Sequence, residues 1–258
     1  MTSSIQLLQW GAPENIKAMI TNRHGGFSQP PFDSLNLGLH VGDDPLLVKK
    51  NRDALKALLP NEALWLNQVH GKQVIDADLE GTNIDAPNAD ASVTTTPGRV
   101  LAIMTADCLP VLLASRDGKV VGAAHAGWRG LAAGVIEQTV AVMRAKQNKQ
   151  TQTDAEPQSE ILAYLGPAIG PHAFEVGSEV REIFMAQNSA SAICFEQLQE
   201  KGKYLADIYA LARLRLNALG IEQIEGGREC TLQDPDYFSY RRDQKTGRMG
   251  SFIWIATP

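Results

Sequence analysis

The sequence predicts an α+β fold of mixed α/β layers in a single domain spanning residues 1–258, and three observations carry that expectation. The middle of the chain, 63–126, is a succession of short apolar, β-branched runs with close turns between them. Segments of helical period flank it on both sides. The two kinds of element interleave without the strict strand–helix–strand rhythm of a doubly wound parallel sheet. A chain of 258 residues, 44% apolar and 21% charged, is near the upper size that one hydrophobic core supports.

The elements follow in order. "IKAMITNR" (16–23) alternates as a strand and stops at "HGG". "DDPLLVKKNRDALKALLP" (43–60) carries helix punctuation: Asp44 to cap, Pro45 at the first helical position and Pro60 to end it. Leu47, Ala54, Leu55 and Leu58 give it an apolar face. Strands are expected at 63–69, 91–95, 99–106, 110–115 and 119–126, with "DG" at 117–118 as the hairpin turn between the last two. "RGLAAGVIEQTVAVMRAK" (129–146) reads as one helix with Leu131, Val135, Thr139 and Met143 along one side. "QNKQTQTDAEPQSE" (147–160) is nearly free of apolar residues and reads as an exposed loop. A strand at 161–170, helices near 178–188 and 205–219, and a strand at 251–256 complete the chain.

Composition excludes several function classes. No segment approaches the ~20 uncharged apolar residues of a membrane span. The N-terminus lacks the basic start and apolar run of a secretory signal. Three cysteines at 108, 194 and 230, with no C-x-x-C, argue for a reducing compartment and a cytoplasmic location. Net charge is −5 with Lys and Arg scattered, so no basic field exists to neutralise a nucleic-acid backbone.

His70 in "NQVHG", Cys108 in "TADCLP" and His125 in "AHAGW" all lie where predicted strands stop. Side chains from separate strand ends can converge at one edge of a sheet. A His–Cys–His set is what zinc accepts when three protein ligands leave a fourth position open. Zinc lowers the pKa of bound water from about 15.7 to about 7, roughly 12 kcal/mol at about 1.36 kcal/mol per unit. Each of the three residues also fits a packed or hydrogen-bonded core position. Asp107 suits a ligand-orienting or proton-carrying role, or a cap. Arg23, Arg129, Arg241 and Arg242 are flanked by glycines or aromatics, and Gly127 and Gly130 bracket an expected helix start that favours an anion such as phosphate. Trp128, Tyr240 and Phe238 suit a flat ring or the core. Asn36, in the glycine-rich "SLNLGLHVGDDP", suits a ligand contact or a turn cap, and His40 a structural place.

Together "TNRHGGFS", "SLNLGLHVGDDP", "NQVHG", "ADCLPVLLA", "AHAGWRGLAAGV", "LGPAIGPHAFEVG" and "FSYRRDQKTGRMGSFIW" resemble, in order and spacing, the YfiH-type family, over about residues 16–256. Its members carry the names laccase-domain protein, multicopper polyphenol oxidase and purine nucleoside phosphorylase. The resemblance implies α/β layers around a central β-sandwich and a zinc held by His70, Cys108 and His125, with copper as the alternative metal. It also implies phosphorolysis of adenosine, inosine, guanosine and methylthioadenosine, with adenosine deamination as a second activity. On that reading purine nucleoside and phosphate are the partners of a monomer or homodimer. The metal binds the incoming oxygen nucleophile, Arg129 and Arg23 hold phosphate, Asn36 and Gln68 contact ribose or base, and Tyr240 or Arg241 closes the pocket. His172 and the 147–160 loop receive no role.

The family's names differ in what they require. A four-copper oxidase needs on the order of ten histidines, often in H-x-H pairs; this chain has five and no such pair. Zinc deaminases of nucleobases use H-x-E…P-C-x-x-C, and neither element is present. The alternatives to phosphorolysis are a metal-free cysteine hydrolase with Cys108 as nucleophile and His125 as base, copper-dependent phenol oxidation at the same site, and a non-catalytic purine or metal sensor.

Overall fold

Strands apolar on both faces belong between two covering layers, and alternation along each central strand shows which side chain serves which layer. The computed structural model describes residues 5–79, 86–150 and 159–257. The first half contains β1 (Ile5–Leu7), β2 (Ile16–Thr21), α1 (Pro45–Lys56), β3 (Ala63–Leu64) and β4 (Val74–Asp76). Next come β5 (Ala91–Thr94), β6 (Val100–Thr105), β7 (Leu109–Ser115), β8 (Val121–Ala126), α2 (Trp128–Ala133) and α3 (Val135–Gln150). β9 (Ile161–Leu165), β10 (Glu175–Gly177), α4 (Ser178–Gln187), a 3₁₀ turn (Ser189–Cys194), β11 (Phe195–Gln197) and β12 (Lys203–Ala206) follow. α5 (Ile208–Ala218), β13 (Ile224–Gly226), α6 (Tyr240–Asp243) and β14 (Met249–Ile255) close the chain.

A five-stranded sheet, β1-β2-β14-β6-β3, faces a six-stranded sheet, β13-β9-β7-β8-β5-β4. Ile16, Ala18, Ile20, Leu101, Ile103 and Ile253 of the first sheet pack against Leu112, Ala114, Val121 and Ala123 of the second. The intervening residues point outward: Met19, Ala102 and Phe252 pack with Leu35, Leu37 and Leu55. Val111, Leu113 and Ala124 meet Leu131, Val135, Val140 and Met143 of α2 and α3 and Leu211 and Leu216 of α5. This is the expected sandwich with helices outside it, mixed because β3–β6, β4–β5 and β9–β13 are parallel and the other pairs antiparallel. Among the described residues no helix is long and apolar enough to cross a membrane.

Several boundaries differ from expectation for local reasons. Helix 129–146 is two helices, because Gly134 takes φ 95°, a left-handed conformation that ends α2 after six residues. The stripe Leu131, Val135, Thr139 and Met143 is nevertheless fully buried. In α1, capped by Asp44 onto the Leu46 N–H, the buried stripe is Val48, Asn51 and Leu55, while Ala54 and Leu58 are exposed. Asn51 belongs there because its amide donates to Ser28 Oγ, Ser34 O and Asn36 O and accepts from Phe27 N, tying down the loop before the helix. The strand expected over 63–69 is only two residues long, and that over 161–170 ends at Leu165. Residues 147–150 of the expected polar loop continue α3, and 151–158 lie outside the described residues.

Candidate metal centre and substrate cavity

Three chain segments meet at one edge of the six-stranded sheet. His125 is the penultimate residue of β8, opposite Pro110 of β7, at the end of the strand as expected. Cys108 is the last of the three residues that join β6 to β7, just after Asp107, whose φ of 88° bends the chain sharply. His70 occupies a loop at φ 59°, wrapped around a buried carboxylate. That carboxylate is Asp90, which accepts from the N–H groups of Val69 (3.2 Å), His70 (2.9 Å) and Gly71 (2.6 Å). The same side chain takes His125 Nδ1 at 2.8 Å, and the Asp90 carbonyl accepts His125 N–H at 2.7 Å.

The result is a tight cluster. One ligand atom each from His70, Cys108 and His125 falls within 4.8 Å of the others. Cys108 Sγ is 3.9 Å from His70 Nε2, and the two imidazoles meet edge to face at 4.8 Å. Two glycines permit the approach. A Cβ on Gly127 would stand 2.8 Å from Cys108 Sγ and 3.3 Å from His70 Cδ2. One on Gly130 would strike the Gly71 carbonyl at 2.7 Å, pushing α2 away from the His70 loop.

Without a metal, the electrostatics favour a Cys108 thiolate beside a protonated His125, which would release that proton on ligating a metal ion. Burial raises the Cys108 thiol, but the adjacent His125 charge and hydrogen bonds from both imidazoles outweigh it and hold the thiol well below its usual range. Burial lowers His125, and the Cys108 thiolate with the Asp90 hydrogen bond more than reverses this. The Asp90 carboxyl is penalised by burial but held below the usual range by His125 and the backbone N–H groups of Gly71 and His70. These donors fit a zinc site with an open fourth position: one thiolate and two imidazoles, one of them with its Nδ1 on a carboxylate so that Nε2 faces the cluster.

Two of the three residues, His70 and Cys108, line a cavity of about 240 Å³, and His125 is buried. Trp128, Ile169, Phe174, Ile208 and Tyr240 supply its apolar walls, and Asp107, Arg129 and Arg241 its charged ones. Its size is just below the ~300–1,000 Å³ of sites for drug-sized ligands and suits one small molecule. Larger cavities of about 380 and 390 Å³ lie around Arg213 and Arg228, apart from the three ligands; His172 lines the first.

The other sequence candidates divide sharply. Arg129 is exposed at the cavity, its guanidinium 4.4 Å from the centre of the Trp128 ring. Tyr240 reaches the cavity and is half exposed. Arg241 lines it too, but its guanidinium donates twice to the Glu175 carbonyl. Arg23 points elsewhere: it donates to the Asp33 carbonyl, pairs with the Asp33 carboxylate and stacks on Phe238, which is core. Asn36 is fully buried, bonding Gly38, Asp43 and Arg248 N. Gln68 exchanges two 2.8 Å hydrogen bonds with the Met104 backbone. Neither amide lines the cavity, because both are occupied holding loops to the sandwich. Arg242 donates to the carbonyls of Thr231, Leu232 and Tyr237. His40 lies in the field of the site: burial and the charges of Arg248, Arg52, His125 and His70 lower its pKa.

Two functional groups escaped sequence reasoning. Asp90 precedes a strand in "NADASV", where an aspartate reads as a turn residue, and only the fold brings it to two histidines. Thr231, far along the chain, donates to Asp107 Oδ1 at 2.7 Å. No local signal marks either.

The chain matches known proteins over nearly its whole length. The family described as multi-copper polyphenol oxidoreductase laccase matches residues 17–256. The chain is 52% identical over 256 residues to the purine nucleoside phosphorylase YfiH of Escherichia coli, covering 98% of this chain and 99% of that one. It is 48% identical over 247 residues to a purine nucleoside phosphorylase of Pseudomonas aeruginosa, covering 95% and 96%. A crystal structure of a Neisseria meningitidis protein superimposes with TM-score 0.88 at 46% identity, covering 99% of this chain and all of that one.

Proposed function

Because the chain belongs to the YfiH-type family, the one described as multi-copper polyphenol oxidoreductase laccase, we propose that it is a zinc-dependent, cytoplasmic purine nucleoside phosphorylase acting on adenosine, inosine, guanosine and methylthioadenosine. The observation that supports this best is the convergence of His70, Cys108 and His125 beside a small cavity whose wall includes His70 and Cys108 and also presents Trp128, Tyr240 and an exposed Arg129. Relatives of high identity carry the name purine nucleoside phosphorylase.

In phosphorolysis a phosphate oxygen bonds to the sugar C1′, the C1′–N9 bond breaks, and the proton of hydrogen phosphate ends on the departing purine. A zinc ion held by His70, Cys108 and His125 would supply a Lewis acid toward an oxygen nucleophile. The chain's own residues do the rest. Asp90 fixes the tautomer and orientation of His125 and shapes the His70 loop. Trp128 and Tyr240 offer flat apolar faces to the base. Arg129 offers the guanidinium for phosphate. Arg23, which does not line the cavity and pairs with Asp33, is left out of that role. Adenosine deamination uses the same cavity with water attacking C6 and ammonia leaving. A phosphate-dependent assay tests the proposal: ribose 1-phosphate and free base should form from inosine and adenosine only when phosphate is supplied. Release of base without phosphate would reject it.

One observation favours a second reading. The thiolate–imidazolium character of Cys108 and His125 also suits a metal-free cysteine hydrolase. Alkylation of Cys108 in metal-free protein that abolishes an activity needing no metal would establish that reading.

A further inference from the structure

We propose that Asp107 is the acceptor for the 2′,3′-diol of the substrate's ribose, an inference that rests on the nucleoside reading and assigns the sugar subsite within it. Asp107 lines the cavity immediately beside Cys108 and holds a backbone conformation, φ 88°, that side chains other than glycine rarely adopt. Its position is fixed from three directions. Thr231 Oγ1 donates to Oδ1 at 2.7 Å, Arg241 N–H donates to Oδ2 at 2.6 Å, and Ile169 N–H donates to its carbonyl at 2.9 Å. Each donor lies more than 60 residues from Asp107 in the chain, so contacts with distant segments hold the carboxylate where the β6–β7 turn meets the cavity.

Each carboxylate oxygen can accept a second hydrogen bond, and both oxygens have one donor from the protein. The remaining lone pairs make a two-point acceptor. The proposed substrates vary in base and in the 5′ group, since methylthioadenosine lacks the 5′-hydroxyl. What they share is a vicinal diol, a pair of donors matched to one carboxylate. Asn36 and Gln68, the amides expected at the sugar, are occupied in the scaffold, which leaves Asp107 as the acidic side chain on the cavity wall. Aromatic faces for the base and Arg129 for phosphate then flank a sugar placed beside Cys108.

The test compares phosphorolysis of inosine, 2′-deoxyinosine and 2′,3′-dideoxyinosine by the wild-type metal-loaded protein, Asp107→Asn and Thr231→Val. Wild type should prefer inosine over the dideoxy analogue by tenfold or more in kcat/KM, about the discrimination of one charge-assisted hydrogen bond. Asp107→Asn should lose most of that preference, chiefly by raising KM for inosine. Thr231→Val, which removes one anchor but leaves the acceptor, should keep it. The inference is overturned if wild type shows no preference for the diol, if Asp107→Asn retains it, or if Thr231→Val loses it equally. Absence of phosphate-dependent cleavage of any nucleoside by wild type instead overturns the phosphorylase reading itself.

Discussion

Asp90 Oδ1 lies 2.8 Å from His125 Nδ1, and the same carboxylate gathers the N–H groups of Val69, His70 and Gly71. One buried side chain thus positions two of the three candidate ligands. Replacing it by asparagine keeps the volume but removes the charge that holds His125 Nδ1–H. Asp90→Asn should weaken metal binding by about 10- to 100-fold, measured by competition with a chelator of known affinity.

Gly127 is required by proximity rather than by backbone conformation. A methyl at that position would meet Cys108 Sγ at 2.8 Å, displacing the sulfur from the cluster. Gly127→Ala should retain the far-ultraviolet dichroism of wild type and lose bound metal. Retention of a full metal complement would show that the turn has slack that the geometry does not suggest.

The Cys108 thiol is held below its ordinary value by His125 and His70. In metal-free protein its alkylation by iodoacetamide should therefore rise with pH through a midpoint clearly below the ~8.5 of an unperturbed cysteine. His125→Gln should move that midpoint upward. A midpoint at or above the ordinary value in wild type would contradict the thiolate–imidazolium pairing.

Away from the site, Asp78 joins three elements: it accepts from Thr94, Thr95 and Thr96 and pairs with Lys146 of α3 at 2.7 Å. Burial opposes its charge, but the Lys146 and threonine hydrogen bonds prevail and depress its pKa. A depressed carboxyl stabilises the fold above the unfolded value of about 3.9, and that stabilisation is lost as pH falls toward the folded value. Asp78→Asn should cost about 2 kcal/mol at pH 7 and progressively less below about pH 4, read from denaturant midpoints. A difference independent of pH would mean that the charge contributes nothing.

The strands were legible because apolar runs and turn chemistry are local, whereas their arrangement as a sandwich was implied by the family resemblance. "DG" at 117–118 and the apolar runs on either side suffice to give β7 and β8. Cys108 and His125 stood out as soft ligands beside turns, and His70 with them. The second tier of the site was not legible, because it depends on contacts between distant segments. Asp90 reaches His125 across 35 residues and Thr231 reaches Asp107 across 124. Asn36 and Gln68 do not line the cavity for the complementary reason: a polar side chain in a glycine-rich loop or at a strand end looks available until its hydrogen-bond partners are known. Arg23 carried a site-like context, yet Asp33, ten residues on, takes its guanidinium.

Elemental analysis of protein purified without added metal, beside Cys108→Ala prepared in the same way, addresses the metal centre without relying on any assay. About one zinc per wild-type chain, and essentially none in Cys108→Ala, is the expected result. Equal metal in both proteins, or a metal-free wild type with undiminished phosphorolysis, would contradict the assignment of His70, Cys108 and His125 as its ligands.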